Sequence, residues 1–421
     1  ELGKLRAAGA WSEPTVIEWS LVRDKAVRSG KKVHVGRLHA IAAEKGSELP
    51  LGHPERKMKG RIVFLGNNVR DEDGQVALLG DLSSAPVTME ASRMCDAFGL
   101  LSGHAIEQAD AEQAYIQSSL GGTETYIRLP KELQPDRWKH MRNPVCKLVM
   151  SLYGHPDAGG FWQAHCTNAL ESVGFIEVMM AVYVDDFKAS GPVEAFKKVW
   201  TLVRSKIRTG APTPIGRYLG CHHNVVELKD RRVIEYDMRD FLEQCVSHYK
   251  KVCGEDVVLK KASTPFLDED KLPEEDDNEP GKLADAACSV LMKVLYGARL
   301  ARFDRLKAVA GLASKVTTWS VSCDKRLFRL MCYINDSKGL KMRGYVGRDD
   351  KAEDLFLRLF ADADFAGCRD TARSTSGVFL GPKVCQLLKF LTKSLVELTE
   401  SAFVGCTKFF KMDNARSGGV I

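Results

Sequence analysis

The sequence lacks long apolar runs: nothing in it approaches the ~18 consecutive apolar residues that a membrane-spanning helix requires, and its longest candidates are stretches such as VMMAVYV at 178–184. No apolar signal core and no initiator Met occur in the opening ELGKLRAAGAWSE, so a cytoplasmic or nuclear location outside the secretory route is expected. The 12 cysteines form no Cys-x-x-Cys pair and fall at irregular spacings. That pattern fits reduced thiols rather than a disulfide framework. There is no internal repeat and no extended low-complexity tract, which removes solenoid, collagen-like and coiled-coil readings. What remains is an ordinary globular composition, 421 residues with 44% hydrophobic residues, long enough for two or three domains with real cores.

Charge is unevenly spread. The formal net charge is +6, yet residues 268–285 (DEDKLPEEDDNEPGKLAD) hold nine acids against two lysines, a net of −7, which leaves +13 on the other 403 residues. The acidic stretch, with Pro273, Pro280 and Gly281, reads as a solvated linker. The basic remainder is compatible with a polyanionic partner.

Along the chain, KMKGRIVFLG at 57–66 contains an alternating strand over Arg61–Phe64, and NNVRDEDG after it reads as a turn. HAIEQAD at 104–110 is strand-like and ends on Asp110, before a segment suited to starting a helix. Residues 160–173 place Phe161, Trp162, Ala164, His165, Ala169, Leu170 and Val173 at near-helical spacing. Met180–Val184 is a short apolar strand that stops at two adjacent acids, Asp185 and Asp186, as in a hairpin with carboxylates at its turn. Residues 288–335 are helically patterned, and 355–380 read as two strands of a separate unit. Cys221-His222-His223 is half of a conceivable metal site, but no second ligand pair lies at a fitting spacing, which favours a plain strand end.

Two carboxylates side by side after a buried strand repel one another and raise each other's pKa. A divalent cation offsets that repulsion, and a third carboxylate at the end of another strand, a role Asp110 fits, completes a hard oxygen donor set of the kind Mg2+ prefers. By residue type alone an Asp-Asp pair is more often a solvated turn.

With these residues in view, the chain resembles the reverse transcriptase and ribonuclease H portion of a copia-type LTR retrotransposon polyprotein, from about residue 15 onward. The likeness is carried, in the family's order, by KMKGRIVFLG, QADAEQAYIQSSLGGTETYIRLP, VCKLVMSLYGHPDAGGFWQ, YVDD at 183–186, RYLGC at 217–221, STPFL at 263–267, VLYGARLARFD at 294–304 and FADADFAGCRDTARSTSG at 360–377. It implies an α+β chain with a right-hand polymerase of fingers, palm and thumb, of which 15–262 would hold the fingers, the palm and the start of the thumb. An acidic linker over 263–287, a helical connection over 288–350 and a truncated ribonuclease H-like α/β unit over 355–421 would follow. It implies RNA-directed DNA synthesis from deoxynucleoside triphosphates on an RNA template with a DNA primer, with Mg2+ or Mn2+ held by Asp110, Asp185 and Asp186. Arg61 and Lys59 would grip the triphosphate, Tyr115 would exclude a 2′-hydroxyl, and Tyr183 and Val184 would floor the primer. Asp362 would be the first metal-binding carboxylate of the ribonuclease H-like unit, with Asp364 a structural polar residue. Glu397, Glu400 or Asp413 would complete that site; if Glu400 matches the first Glu of the family's Glu-Ala-Glu motif, Ala402 stands at the catalytic position. Protease and integrase segments are further partners of such a polyprotein.

The chain departs from the family pattern in three places. Only seven residues separate Phe175 from Tyr183, where the family has an extra strand. His155-Pro156-Asp157 replaces a Gln-containing run that touches the nucleotide, and 355–421 is short for a complete ribonuclease H fold. These departures imply an abridged or degenerate copy, and make a catalytically inactive nucleic-acid-binding remnant the alternative. A stand-alone nuclease centred on Asp362 would need neither Asp110 nor YVDD.

Overall fold

Alternation of apolar and polar residues sets the first sheet. In a computed structural model, which describes residues 1–45, 52, 56–77, 87–174, 177–267, 272–273, 275–363, 365, 374 and 376–384, a short helix α1 (Leu2–Ala7) leads to β1 (Ile17–Glu18) and α2 (Trp19–Ser29). Then come the long β2 (Val33–Lys45) and β3 (Lys57–Phe64). On β3, residues Lys57–Arg61 are all exposed, with Lys57, Lys59 and Arg61 on one face, and only the end of the strand alternates, with Ile62 and Phe64 buried on the other face, the period-2 pattern of a half-buried strand. Helix α3 (Met89–Gly99), capped by the Thr88 hydroxyl accepting from the Ala91 N–H, and β4 (His104–Asp110) follow. β5 (Glu124–Arg128) and β6 (Pro144–Lys147) complete a five-stranded sheet of order β1-β6-β5-β2-β3, in which β2 and β5 run parallel. Its core holds Leu38, Ile62, Phe64, Ile127, Trp138 and Leu152.

The second sheet is built around β4. Helix α4 (Ala158–Ser172) precedes β7 (Met179–Tyr183) and β8 (Asp186–Pro192); α5 (Phe196–Arg204) then leads to β9 (Thr213–Pro214), giving the order β7-β8-β4-β9. Trp162 and Cys166 of α4, Phe187 of β8, and Val199 and Trp200 of α5 meet in one core. Strand β7 is an edge of this sheet, and its backbone carbonyls accept from outside the sheet, from the Val87 N–H at Val182 at 3.3 Å and from the Cys95 thiol at Met179 at 3.5 Å. The segment after Asp110 differs from the helix start read in the sequence: it forms a single 3-10 turn, Ala114–Gln117, entered through Gln113 at φ 53°.

A third sheet packs on helices. β10 (Arg217–Tyr218), β11 (Cys221–Glu227), β12 (Arg231–Asp237) and, after more than a hundred residues, β13 (Met342–Gly347) lie in that order. Between them come α6 (Arg239–Cys253), α7 (Glu275–Asn278), α8 (Ala284–Leu300), α9 (Leu306–Ala313) and α10 (Val321–Ser337). Their apolar stripes converge on Leu242, Val290, Leu291, Val294, Val309, Leu327 and Ile334. The acidic stretch is partly structured: α7 is a helical turn within it, Lys325 pairs with Asp276 at 2.5 Å, and Pro280 bridges to Ser320. Cys221-His222-His223 is indeed strand, within β11. Last, β14 (Leu355–Ala363) and β15 (Ser376–Val384) form an antiparallel pair. The architecture is mixed α+β.

Candidate active site

Register brings two of the predicted carboxylates together. β4 and β8 pair antiparallel from His104 opposite Pro192 to Asp110 opposite Asp186, and β7 pairs β8 up to Tyr183 opposite Asp186. Val184 and Asp185 are therefore the two residues of a hairpin turn. Val184 sits at φ 57°, a left-handed value that Gly usually supplies at the first position of such turns. For a β-branched side chain this costs on the order of 1–3 kcal/mol. Two bonds from outside the hairpin hold it: the buried Trp162 indole N–H donates to the Val184 carbonyl at 2.7 Å, and the Ala111 N–H donates to the Asp185 carbonyl at 2.7 Å. In the sequence Trp162 reads only as an apolar helix residue; its tether to the turn is visible only in the structure.

Asp110 is exposed at the strand end, and Asp185 and Asp186 are half-buried. Burial, then the charges of Asp185 and Asp110, then a hydrogen bond to the Asp110 carboxyl push the Asp186 carboxyl up to about 6. Three acids gathered so that two of them raise the third are a donor set suited to a hard divalent cation. The fit is one of chemistry rather than of a finished cage: among the described residues no three His, Cys, Asp or Glu side chains converge in a ready-made metal site.

The raised Asp186 has a stability consequence. A carboxyl that titrates near 6 when folded and near 3.8 when unfolded binds its proton more tightly in the folded state, so it favours folding below the lower value and loses that contribution as pH rises through 6. Fully buried, it would oppose folding at pH 7 by about 3 kcal/mol; half-exposure and solvent screening reduce this to about 1 kcal/mol. Asp186→Asn should therefore raise the unfolding free energy by about that much at pH 7, with the gain vanishing at pH 4. Urea melts at the two pH values test this, and an equal effect at both would refute it.

Above the carboxylates lies an aromatic and cationic wall. Tyr115, on the 3-10 turn, meets Tyr153 edge-on, with centroids 4.6 Å apart and planes at 70°. Burial and the Asp185 charge raise both phenols, Tyr153 to about 12, and the Arg61 cation works against the rise at Tyr153. Arg61, Tyr153, Tyr115 and Asp185 thus form one neighbourhood. Lys59 shares the exposed face of β3 with Arg61; no contact ties it to the carboxylates. On the other side of Tyr183, a cavity bordered by Asp96, Tyr183, Tyr218, Tyr236 and Tyr296 separates the hairpin from the third sheet. This cavity does not hold the carboxylate cluster.

Asp362 stands apart from these residues, exposed on β14 opposite Gly377, and accepts from the Ala363 N–H at 3.0 Å. No metal-binding cluster forms around it among the described residues, and Asp364, Glu397, Glu400, Ala402 and Asp413 lie outside them.

No helix among the described residues is long and apolar enough to cross a membrane. No family profile and no curated protein sequence matches the chain. One solved structure to which it is similar is a foamy viral protease-reverse transcriptase in complex with double-stranded DNA, at 11% identity and a TM-score of 0.38, over 86% of this chain and 54% of that one. The chain spans about half the length of that protein.

Proposed function

We propose that this chain is the polymerase portion of a copia-type reverse transcriptase, an RNA-directed DNA polymerase with fingers, palm and thumb that ends in a vestigial ribonuclease H-like unit. One observation carries the reading: Asp110 lies in register with Asp186, beside Asp185 on a strained turn, with Tyr115 within reach of the Asp185 charge. Strain of that kind persists where surrounding contacts enforce it, and it clusters at functional turns. Asp110, Asp185 and Asp186 would hold Mg2+ or Mn2+, which when bound supplies charge neutralisation for in-line phosphoryl transfer and a more acidic attacking hydroxyl. Arg61, with Lys59 beside it, grips the incoming triphosphate through planar donors suited to phosphate oxygens. Tyr115 fills the space a 2′-hydroxyl would need, and Tyr183 and Val184 support the primer end. The basic body of the chain neutralises template and primer phosphates, so binding should weaken steeply with salt.

The test is primer extension on poly-rA with dTTP and Mg2+ or Mn2+, comparing the wild type with Asp185→Asn. Template-dependent synthesis should fall at least roughly 100-fold in the variant, since loss of a direct metal ligand exceeds the loss of a supporting one. The absence of a finished three-residue cage among the described residues favours a second reading, the inactive nucleic-acid-binding remnant. Retention of template–primer by a wild type that extends nothing would decide for that reading.

A further inference from the structure

We infer that Tyr153 is a positioning residue for sugar selection, holding Tyr115 in place against the nucleotide. The inference rests on the polymerase reading above and concerns a residue that reading leaves without a role.

The backbone of Tyr115 is held locally, its carbonyl accepting from the Ser118 N–H at 3.0 Å and from the Ser118 hydroxyl at 2.9 Å. Its turn is a single 3-10 segment entered through a non-glycine residue in the left-handed region, and the side-chain torsions of Tyr115 are set by what its ring packs against. Its ring is half-buried and meets the edge of Tyr153, a geometry that aromatic pairs favour. Tyr153 is fixed from two directions. The strand leading to it is zipped to the exit of the Tyr115 turn: Ser151 N–H donates to the Ser118 carbonyl at 2.9 Å, Leu120 N–H to the Val149 carbonyl at 2.9 Å, and Ser119 bridges Met150. Its own carbonyl accepts from the Phe64 N–H at 2.7 Å, at the end of the strand that carries Arg61. The Asp185 charge acts on both phenols.

A gate excludes a 2′-hydroxyl only if it cannot retreat. Tyr153, packed against the Tyr115 ring, hinders it from swinging away; with that ring removed, Tyr115 gains freedom to move. The ring edge supplies the support, so Phe should replace Tyr.

The experiment uses the full chain in primer extension on poly-rA and reads kcat/KM for dTTP against UTP. Tyr153→Ala should lower the dTTP preference at least roughly tenfold, the size of effect that one lost packing constraint has on discrimination, while Tyr153→Phe keeps it within about twofold. Added to Tyr115→Ala, Tyr153→Ala should cause no further loss, because it acts through Tyr115. Extension with dTTP certifies that each variant is folded, and Tyr153→Leu, which keeps apolar volume without a ring edge, should fail to discriminate as Ala does. An unchanged preference in Tyr153→Ala and Tyr153→Leu, or additive losses with Tyr115→Ala, overturns this inference alone. A wild type that extends no primer overturns the polymerase reading and this inference with it.

Discussion

Lys188→Met should lower the unfolding free energy by about 3–5 kcal/mol, the cost of stranding a buried charge. Lys188 and Asp96 are 0% and 1% exposed, and the ammonium donates to the carboxylate at 2.7 Å. The other Asp96 oxygen accepts from the Tyr236 hydroxyl at 2.9 Å. His223, with Nε2 3.9 Å from the same oxygen, is lowered to about 4, chiefly by burial. The Lys188 ammonium also lies 4.8 Å from the centroid of the Tyr218 ring. Met fills the volume but leaves the Asp96 carboxyl without its cation in an apolar surrounding, and the pair was worth keeping only while both members were present. The second substitution, Asp96→Asn on top of Lys188→Met, removes the stranded charge and keeps an acceptor for Tyr236, so most of the loss should be recovered. Urea unfolding of the single and double variants measures both steps. A single-variant loss below about 1 kcal/mol would mean that water reaches the pair. Because Lys188 is two residues past Asp186 on the same strand, this pair also locks the hairpin that carries Asp185 and Asp186 to α3 and, through Tyr236, to the third sheet.

That lock was invisible in the sequence, and the reason is general. Lysine is almost never fully buried, so Asp186-Phe187-Lys188 reads as a strand with a solvated cation; its partner is 92 residues away and nothing local marks it. What is locally encoded was legible. The apolar run stopping at two acids gave the β7–β8 hairpin, the HAIEQAD stretch gave β4 ending on Asp110, and the apolar positions over 160–173 gave α4. Pairings were not legible. β2 pairs in parallel with β5, and β13 joins β12 across the whole helical region; periodicity reveals that a strand has a buried face, but not which strand lies beside it. The same limit applies at the candidate site. YVDD and Asp110 could be named from residue type and order, whereas Trp162 and Tyr153 act through contacts with the turn and with Tyr115 that only the folded chain brings about.

Gly154→Ala is the substitution with the next largest expected effect, a loss of about 3–4 kcal/mol. Gly154 has φ +88°, and a Cβ there would stand 2.1 Å from the Phe64 carbonyl oxygen and 3.2 Å from its carbon. Left-handed backbone alone costs a non-glycine residue about 1–2 kcal/mol; here the clash is with backbone, which has no rotamer to give way, and the turn and β3 must separate. Gly30, the left-handed cap of α2 at φ +65° with nothing within 4 Å of its would-be Cβ, isolates the first contribution, so Gly30→Ala should cost about 1 kcal/mol. The difference between the two variants in thermal or urea melts then measures the close approach itself, and equal losses would show that the turn can move away from β3 freely. Separation would stretch the Phe64 N–H to Tyr153 carbonyl bond, which ties the Arg61 strand to the Tyr115 wall. Under the polymerase reading Gly154→Ala should therefore raise KM for the nucleotide even under conditions where the variant remains folded, whereas Gly30→Ala, on a helix cap, should leave KM unchanged.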